Sequence, residues 1–347
     1  MKILITGNLG YVGPGVVKEF RNYYPDAEII GYDIGYFDRL ITNKGISPEC
    51  YLNTQNYGDV RNFPEQLLEG VETVINLAAI SNDPIGNKFE KATFEINHES
   101  TIKIAKLAKK KGVKNFIFAS SCSVYGAAED IARKEDSPLN PLTAYAKSKV
   151  FSENDLASLA DDTFKVTCHR FATACGMSDR LRVDLVVNDF TACAVTSGEI
   201  TILSDGTPWR PLINVLDMAR AIRWSHERSH ENGGSFLIVN TGSVKWNYMV
   251  KELAESIQNT MPSIKVSINK DAEPDKRSYK VDFSLFKKLA PEHQPQFDLN
   301  STINDLFNGF KVIGFNNANF RKSDFMRLNV INNLLNKGII DKDLKII

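Results

Sequence analysis

The chain has 347 residues, 43% of them hydrophobic and 24% charged, and its 42 basic and 42 acidic side chains cancel. That length is enough for one large domain or for two that share a core, and the even charge without a long Lys/Arg block excludes nucleic acid and anionic membrane as general partners. Five cysteines with no CxxC pair and five histidines without ligand spacing exclude a disulfide framework and a structural zinc site, so no metal is expected.

Strand-like sequence begins at Lys2, leaving no room for a signal peptide, and no later run reaches the length of a membrane span, so the expected location is the cytoplasm. In chain order, short β-branched runs at 3–6, 27–32, 73–77, 116–120 and 166–171 read as strands, and 16–24, 89–111 and 144–159 between them as helices. Such alternation predicts an α/β fold with a doubly wound, Rossmann-type parallel sheet. After Gly176 the rhythm changes to helix 184–196, strand 199–203, helix 217–230 and strand 235–239, with a last helix at 325–336. The expected division is a first domain of 1–175 plus about 213–240, and a smaller mixed α/β domain of about 176–212 plus 241–347.

Directly after the first strand comes TGNLGYVG, with Gly7, Gly10 and Gly13 where a backbone must turn, approach a pyrophosphate and pack on the sheet. Asn8, Leu9, Tyr11 and Val12 complete that loop, whose amides and helix dipole hold an anion without a cationic side chain. Asp33 follows Gly13 by about 20 residues, the spacing at which a carboxylate meets adenosine ribose hydroxyls, which favours NAD over NADP because it repels a 2′-phosphate. Asp59 in GDVR either accepts from an adenine amino group, with Val60 packing on the ring, or caps a local turn. In INLAAIS, small residues Ala78 and Ala79 after Leu77 either admit a dinucleotide or pack helix on sheet, and Ser81 is a polar group at the strand's carboxyl end.

YAKSK sets Tyr145 and Lys149 four apart on one helix face, where the ammonium stabilises a phenolate and makes the tyrosine a general base for a sugar hydroxyl. Just upstream, ASSCSVYG brings Ser121 to a strand end, where its hydroxyl can hold the same substrate oxygen.

Together these motifs resemble the extended short-chain dehydrogenase/reductase family, in its nucleotide-sugar epimerase and dehydratase branch, over nearly the whole chain. The resemblance implies NAD in the first domain and a nucleotide-diphosphate sugar in the second. It makes Tyr145 the acid/base, Lys149 its modulator and ribose ligand, and Ser121 the hydroxyl partner, with Asn97 as a proton relay. Ser81, Ser123 and Thr173 stand on the substrate side; Thr173 replaces the family's asparagine. Asn188, Arg210 and Arg277 fall where similar enzymes clamp the substrate diphosphate or nucleotide, and a planar guanidinium suits the phosphates. Asp217 reads as a helix N-cap. Related enzymes pair the helices at 89–111 and 144–159 across a homodimer interface.

The shared step of this branch makes a 4-keto sugar. Dehydratases of the branch carry an Asp-Glu pair directly after the catalytic hydroxyl, where this chain has Cys122 and Ser123. Fucose-synthase-like enzymes pair a cysteine there with a later histidine, which GMSDRLRVDLVVN lacks, so Cys122 reads as packing. A 4-epimerase needs only Tyr145, Ser121, Lys149 and NAD, and that is the expected activity. A 4-dehydrogenase, a 4-keto reductase or dehydratase, and a non-catalytic NAD-binding scaffold are the alternatives.

Overall fold

The computed structural model describes residues 1–127, 131–269 and 278–347. Strands follow in the order β1 (Lys2–Thr6), β2 (Glu28–Asp33), β3 (Thr54–Tyr57), β4 (Thr73–Asn76), β5 (Asn115–Ser121) and β6 (Lys165–Phe171), then β7 (Thr173–Cys175), β8 (Glu199–Ile202), β9 (Trp209–Asn214), β10 (Phe236–Thr241), β11 (Asn247–Met249) and β12 (Lys265–Ile268). Interleaved are helices α1 (Gly13–Tyr23), α2 (Asp83–Lys88), α3 (Glu90–Phe94), α4 (Ser100–Lys110), α5 (Ala144–Ala157) and α6 (Val186–Thr196), then α7 (Val215–Glu227), α8 (Val250–Thr260), α9 (Ser284–Leu289), α10 (Leu299–Ile313) and α11 (Arg327–Asn336).

Seven strands form one parallel sheet in the order β10-β6-β5-β4-β1-β2-β3. Strand order reverses between β1 and β4, and at such a switch point the carboxyl ends of neighbouring strands leave a crevice for a ligand. Alternation along β1 sends Ile3 and Ile5 to one apolar layer with Phe20 and Trp224, and Leu4 to the other with Phe116 and Leu156. A third core, around Leu181, Phe190, Leu212, Leu253 and Phe310, belongs to the smaller lobe, which carries the β11-β9-β7 and β12-β8 sheets.

α7 and β10 join the large sheet's layers, and so do two later segments. Val281, Phe283 and Phe286 pack into one face of the large lobe, and Ile331, Ile340 and Leu344 into the other, because apolar faces of the large sheet remain to be covered after β10. The helix expected at 89–111 is also interrupted by a π turn at Glu95–Glu99. The wider turn holds Asn97 inward, where Oδ1 accepts from the Ile80 amide (2.7 Å) and Nδ2 donates to the Ile80 carbonyl (3.0 Å). Asp217 is not the cap of its helix: Asn214 is, accepting from the Leu216 amide, while Asp217 accepts from the Gln296 and Phe297 amides. β3 escaped the periodicity because its four residues, TQNY, form a largely polar edge strand.

A buried ion pair ties α5 to β6. Arg170 Nη2 meets Glu153 Oε2 at 2.7 Å, Arg170 Nη1 donates to the Tyr125 hydroxyl, and the Ser120 hydroxyl donates to Glu153 Oε1. Both partners are nearly fully buried, so removing one strands the other's charge. Glu153→Ala is expected to lower unfolding free energy by about 3–5 kcal/mol, read as a lower denaturant midpoint at unchanged slope; a midpoint equal to wild type would contradict it.

Candidate active site

The loop between β1 and α1 lies at the switch point. Gly7 has φ +74°, and a Cβ there would fall 2.5 Å from the Ala78 nitrogen; at Gly13 one would fall 2.1 Å from the Asn8 carbonyl oxygen. Backbone therefore passes backbone with no side chain between, and Val12, which has no side-chain acceptor, occupies the N-cap of α1. That leaves amides of the first helical turn directed toward the crevice.

A cavity of 730 Å³ fills the crevice. Gly7, Gly10, Tyr11 and Val12 line its floor with Leu77, Ala78 and Ala79, and Asp33, Asp59 and Val60 line one end. Asn8, Leu9, Gly13 and Asn97 do not line it. Asn8 donates to Gln55 Oε1 (2.6 Å) and the Leu9 amide donates to Asp33 Oδ2 (3.1 Å), so these two shape the loop from behind. Burial raises the Asp33 pKa, opposed by the Gly35 and Leu9 amides and then by Arg180 and Arg327. Asp59 does what the turn reading expects, capping Val60–Asn62 through the Arg61 amide while pairing with the Arg61 guanidinium at 2.6 Å, and it still borders the cavity. This shape and donor set fit a dinucleotide: a backbone cradle for a diphosphate, flanked by a carboxylate for ribose hydroxyls.

At the other end stand Ser121, Ser123, Tyr145 and Lys149. Thr143 caps α5 by accepting from the Ala146 amide and donates to Asp83 Oδ1 (2.8 Å), which fixes the first turn that carries Tyr145. Burial pushes the Tyr145 pKa up to about 12, countered by the nearby Ser121 hydroxyl and by the Arg182 charge. One turn on, Lys149 Nζ lies 4.6 Å from the Phe118 ring centroid and 5.6 Å from that of Tyr145. Burial pulls the Lys149 pKa down to about 7, with Glu153 opposing. The pair expected from the YAKSK spacing thus shares one wall with the hydroxyl expected from ASSCSVYG.

Cys122 sits between the serines but points away. It is buried, its thiol donates to the Arg170 carbonyl (3.1 Å), and burial raises its pKa above the ordinary thiol range. Ser123 donates its amide to Ser121 Oγ (3.1 Å) and has a buried hydroxyl with no partner among the described residues. Ser81, Thr173 and Arg210 line the cavity. Asn188 is brought elsewhere: its side chain accepts from the Gly176 amide and donates to the Tyr11 hydroxyl and the Arg182 carbonyl, leaving it behind the wall. Arg277 lies outside the described residues. Asn97 also donates to the Ser148 hydroxyl (3.1 Å), so both ends of its amide hold protein.

Sequence reasoning missed Arg182, Asp184, Tyr279 and Arg327, all of which line the cavity. Arg182 is braced by Asp184 (2.9 Å) and donates to Ser81 Oγ (3.0 Å). Its signal was available in GMSDRLRVDLVVN, where Arg180 and Arg182 alternate with leucine and valine just before a helix. Among the described residues there is no His/Cys/Asp/Glu cluster fit for a metal and no helix long and apolar enough to cross a membrane.

Comparison with known proteins places these features in a family. The model of the NAD dependent epimerase/dehydratase family matches residues 3–242. A UDP-glucose 4-epimerase of Lactobacillus helveticus is 27% identical over 240 residues, covering 64% of this chain and 70% of the relative. A putative UDP-glucose 4-epimerase of Methanocaldococcus jannaschii is 26% identical over 322 residues, 89% of this chain and 98% of the relative. Among solved structures, the NAD-dependent NDP-hexosamine 5,6-dehydratase TunA shares the fold with a TM-score of 0.76 at 24% identity, over 89% of this chain and 97% of that one. The glycine cradle, the Tyr145–Lys149 pair and the match over most of the chain lead to one conclusion: this protein belongs to the NAD dependent epimerase/dehydratase family.

Proposed function

We propose that this protein is a nucleotide-sugar 4-epimerase acting through a transient 4-keto sugar, with Ser121, Tyr145 and Lys149 as its catalytic residues. The reading is carried by the convergence of Ser121, Tyr145 and Lys149 on the cavity that the glycine loop also lines, beside positions 122 and 123, which hold no carboxylate. Relatives named UDP-glucose 4-epimerase support it.

NAD, when bound in the glycine-loop crevice, would supply the hydride acceptor and donor for the sugar's C4. Tyr145 takes the C4 hydroxyl proton as the ketone forms and gives it back as the hydroxyl reforms. Ser121 holds that oxygen through both half-reactions. Tyrosine at a pKa of about 12 is a reluctant base; the Arg182 charge favours the phenolate, and Lys149, whose Nζ lies 5.6 Å from the Tyr145 ring centroid, does the same when charged. Arg210 and Arg277 are assigned to the sugar diphosphate, with Ser81, Ser123 and Thr173 nearer the hexose. Inversion needs space for the ketone to turn, and the cavity volume of 730 Å³ includes the room between Ser121 and Thr173.

We also infer a homodimer through α3, α4 and α5. Phe151 stacks on Phe94 at 5.7 Å yet remains 47% exposed, a large apolar ring left for a partner. Light scattering is expected to give twice the chain mass, and a monomer mass would refute it.

The decisive assay incubates pure protein with UDP-, GDP- and dTDP-hexoses and follows C4 by NMR. A C4 epimer without net NADH is expected; stoichiometric NADH without epimer would replace the epimerase by a dehydrogenase. Tyr145→Phe is expected to slow turnover by about 10²- to 10⁴-fold, and Ser121→Ala to slow it far more than Cys122→Ala. The reverse ranking would return the thiol to the mechanism.

Lys149 has a pH signature in the NAD-free protein. Its folded pKa of about 7 lies below its ordinary 10.5, so between those values the unfolded chain binds more protons and this group makes stability rise with pH. Lys149→Met is expected to lose turnover and to flatten that rise in denaturation midpoint. An unchanged slope would show that Lys149 titrates normally.

A further inference from the structure

Arg327 begins α11, far along the chain from the glycine loop, yet its side chain lines the same cavity as Gly10, Tyr11 and Asp33. It is only 3% exposed. Its guanidinium lies 4.3 Å from the Phe37 ring centroid, and Nη2 donates to the Arg180 carbonyl at 2.9 Å. Nη1 is buried with no hydrogen-bond partner among the described residues. A buried cation with an unanswered N–H is costly and is kept where an anion completes it.

The neighbouring charges each have an opposite charge or an amide beside them, although Arg180 Nε and Nη1 also lack a hydrogen-bond partner among the described residues. Arg180 pairs with Glu49 (2.8 Å), Arg182 with Asp184 (2.9 Å), and Asp33 is held by the Leu9 and Gly35 amides. Arg327 forms no ion pair among the described residues. Burial first, then the Arg182 charge, pull its pKa down to about 9, which still leaves it charged at neutral pH.

The tail that follows fixes its place. Ile331, Ile340 and Leu344 are buried against the large lobe, and Arg61, the residue paired with Asp59, donates to the Asp343 and Leu344 carbonyls at 2.6 and 2.9 Å. Arg327 shares the cavity's lining with Asp33, at the ribose end, and with Arg182, beside Ser81, and the glycine loop lines the same cavity.

We propose that Arg327 is a ligand of the NAD diphosphate, supplied by the C-terminal segment to the cavity that the glycine loop also lines. The loop offers amides and a helix dipole; Arg327 adds the full charge and planar donors that these lack. Anchored through the tail, it holds the cofactor in place between the two half-reactions of an epimerase. The assignment rests on the family's NAD site and not on which sugar is epimerised.

Calorimetric titration of the full-length protein with NAD, ADP-ribose, adenosine and UDP tests it, with the melting temperature of the nucleotide-free protein measured alongside. Arg327→Met is expected to weaken NAD and ADP-ribose by about 10- to 100-fold and to leave adenosine and UDP unchanged. Unchanged NAD affinity, an equal loss for adenosine, or a loss falling on UDP instead would each overturn it. Should the Met variant fail to fold, Arg327→Lys keeps the charge but loses the fork; it is expected to weaken ADP-ribose more than adenosine, and equal effects would overturn the assignment. NAD binding by the wild type reports on the site itself, and the product of turnover reports on the sugar chemistry, so neither failure is confused with this one.

Discussion

Between β1 and β4 two backbones pass so closely that a single methyl group on Gly7 would meet the Ala78 nitrogen at 2.5 Å. The reversal of strand order opens the crevice at this point, and the missing side chain keeps it open. The groups that line the candidate site among the described residues stand around that gap. Asp33 ends β2, Ala78 follows β4, Ser121 ends β5 and Phe171 ends β6, because all these strands run parallel and finish on the same edge.

Once the crevice exists, the two lobes must be held in register across it. Tyr11 does this from inside the glycine loop. Its ring packs in the core of the smaller lobe, its hydroxyl donates to the Gly176 carbonyl at 2.6 Å, and the same hydroxyl accepts from Asn188. Asn188 in turn holds the carbonyl of Arg182, so the phosphate loop and the wall that faces it are linked by two side chains. Substrate-side geometry and cofactor-side geometry are therefore not independent in this molecule.

Burial sets the chemistry at the opposite end. Tyr145 is pushed toward the phenol and Lys149 toward the amine by the same withdrawal from water. Against this stand Arg182 near Tyr145, and Glu153 one turn along α5 from Lys149, itself locked to Arg170. A structural ion pair between helix and strand thus also tunes the charge of a residue in the site. Cys122, one residue from Ser121, is removed from that balance because its thiol faces the Arg170 carbonyl.

Much of this was legible in the sequence, since it depends on local spacing. Glycines that admit no Cβ, an acid about 20 residues further on, and a tyrosine and lysine four apart on one helix face are short-range patterns that point to the sheet, the cradle and the Tyr145–Lys149 pair. What spacing does not carry is the direction in which a side chain is finally used. Asn188 and Asn97 sit in recognisable motifs, yet tertiary packing turned their amides onto protein backbone and neighbouring side chains. Arg327 and the segments around Val281 and Leu344 carry no local signal, because their positions follow from apolar faces that later parts of the chain must cover. The sequence by itself determined the parallel sheet, the phosphate loop and the Tyr145–Lys149 pair, whose causes lie within a few turns of chain. The tertiary structure alone decided which distant arginines and hydroxyls line the cavity, because burial and charge pairing are settled only when all the lobes close on one another.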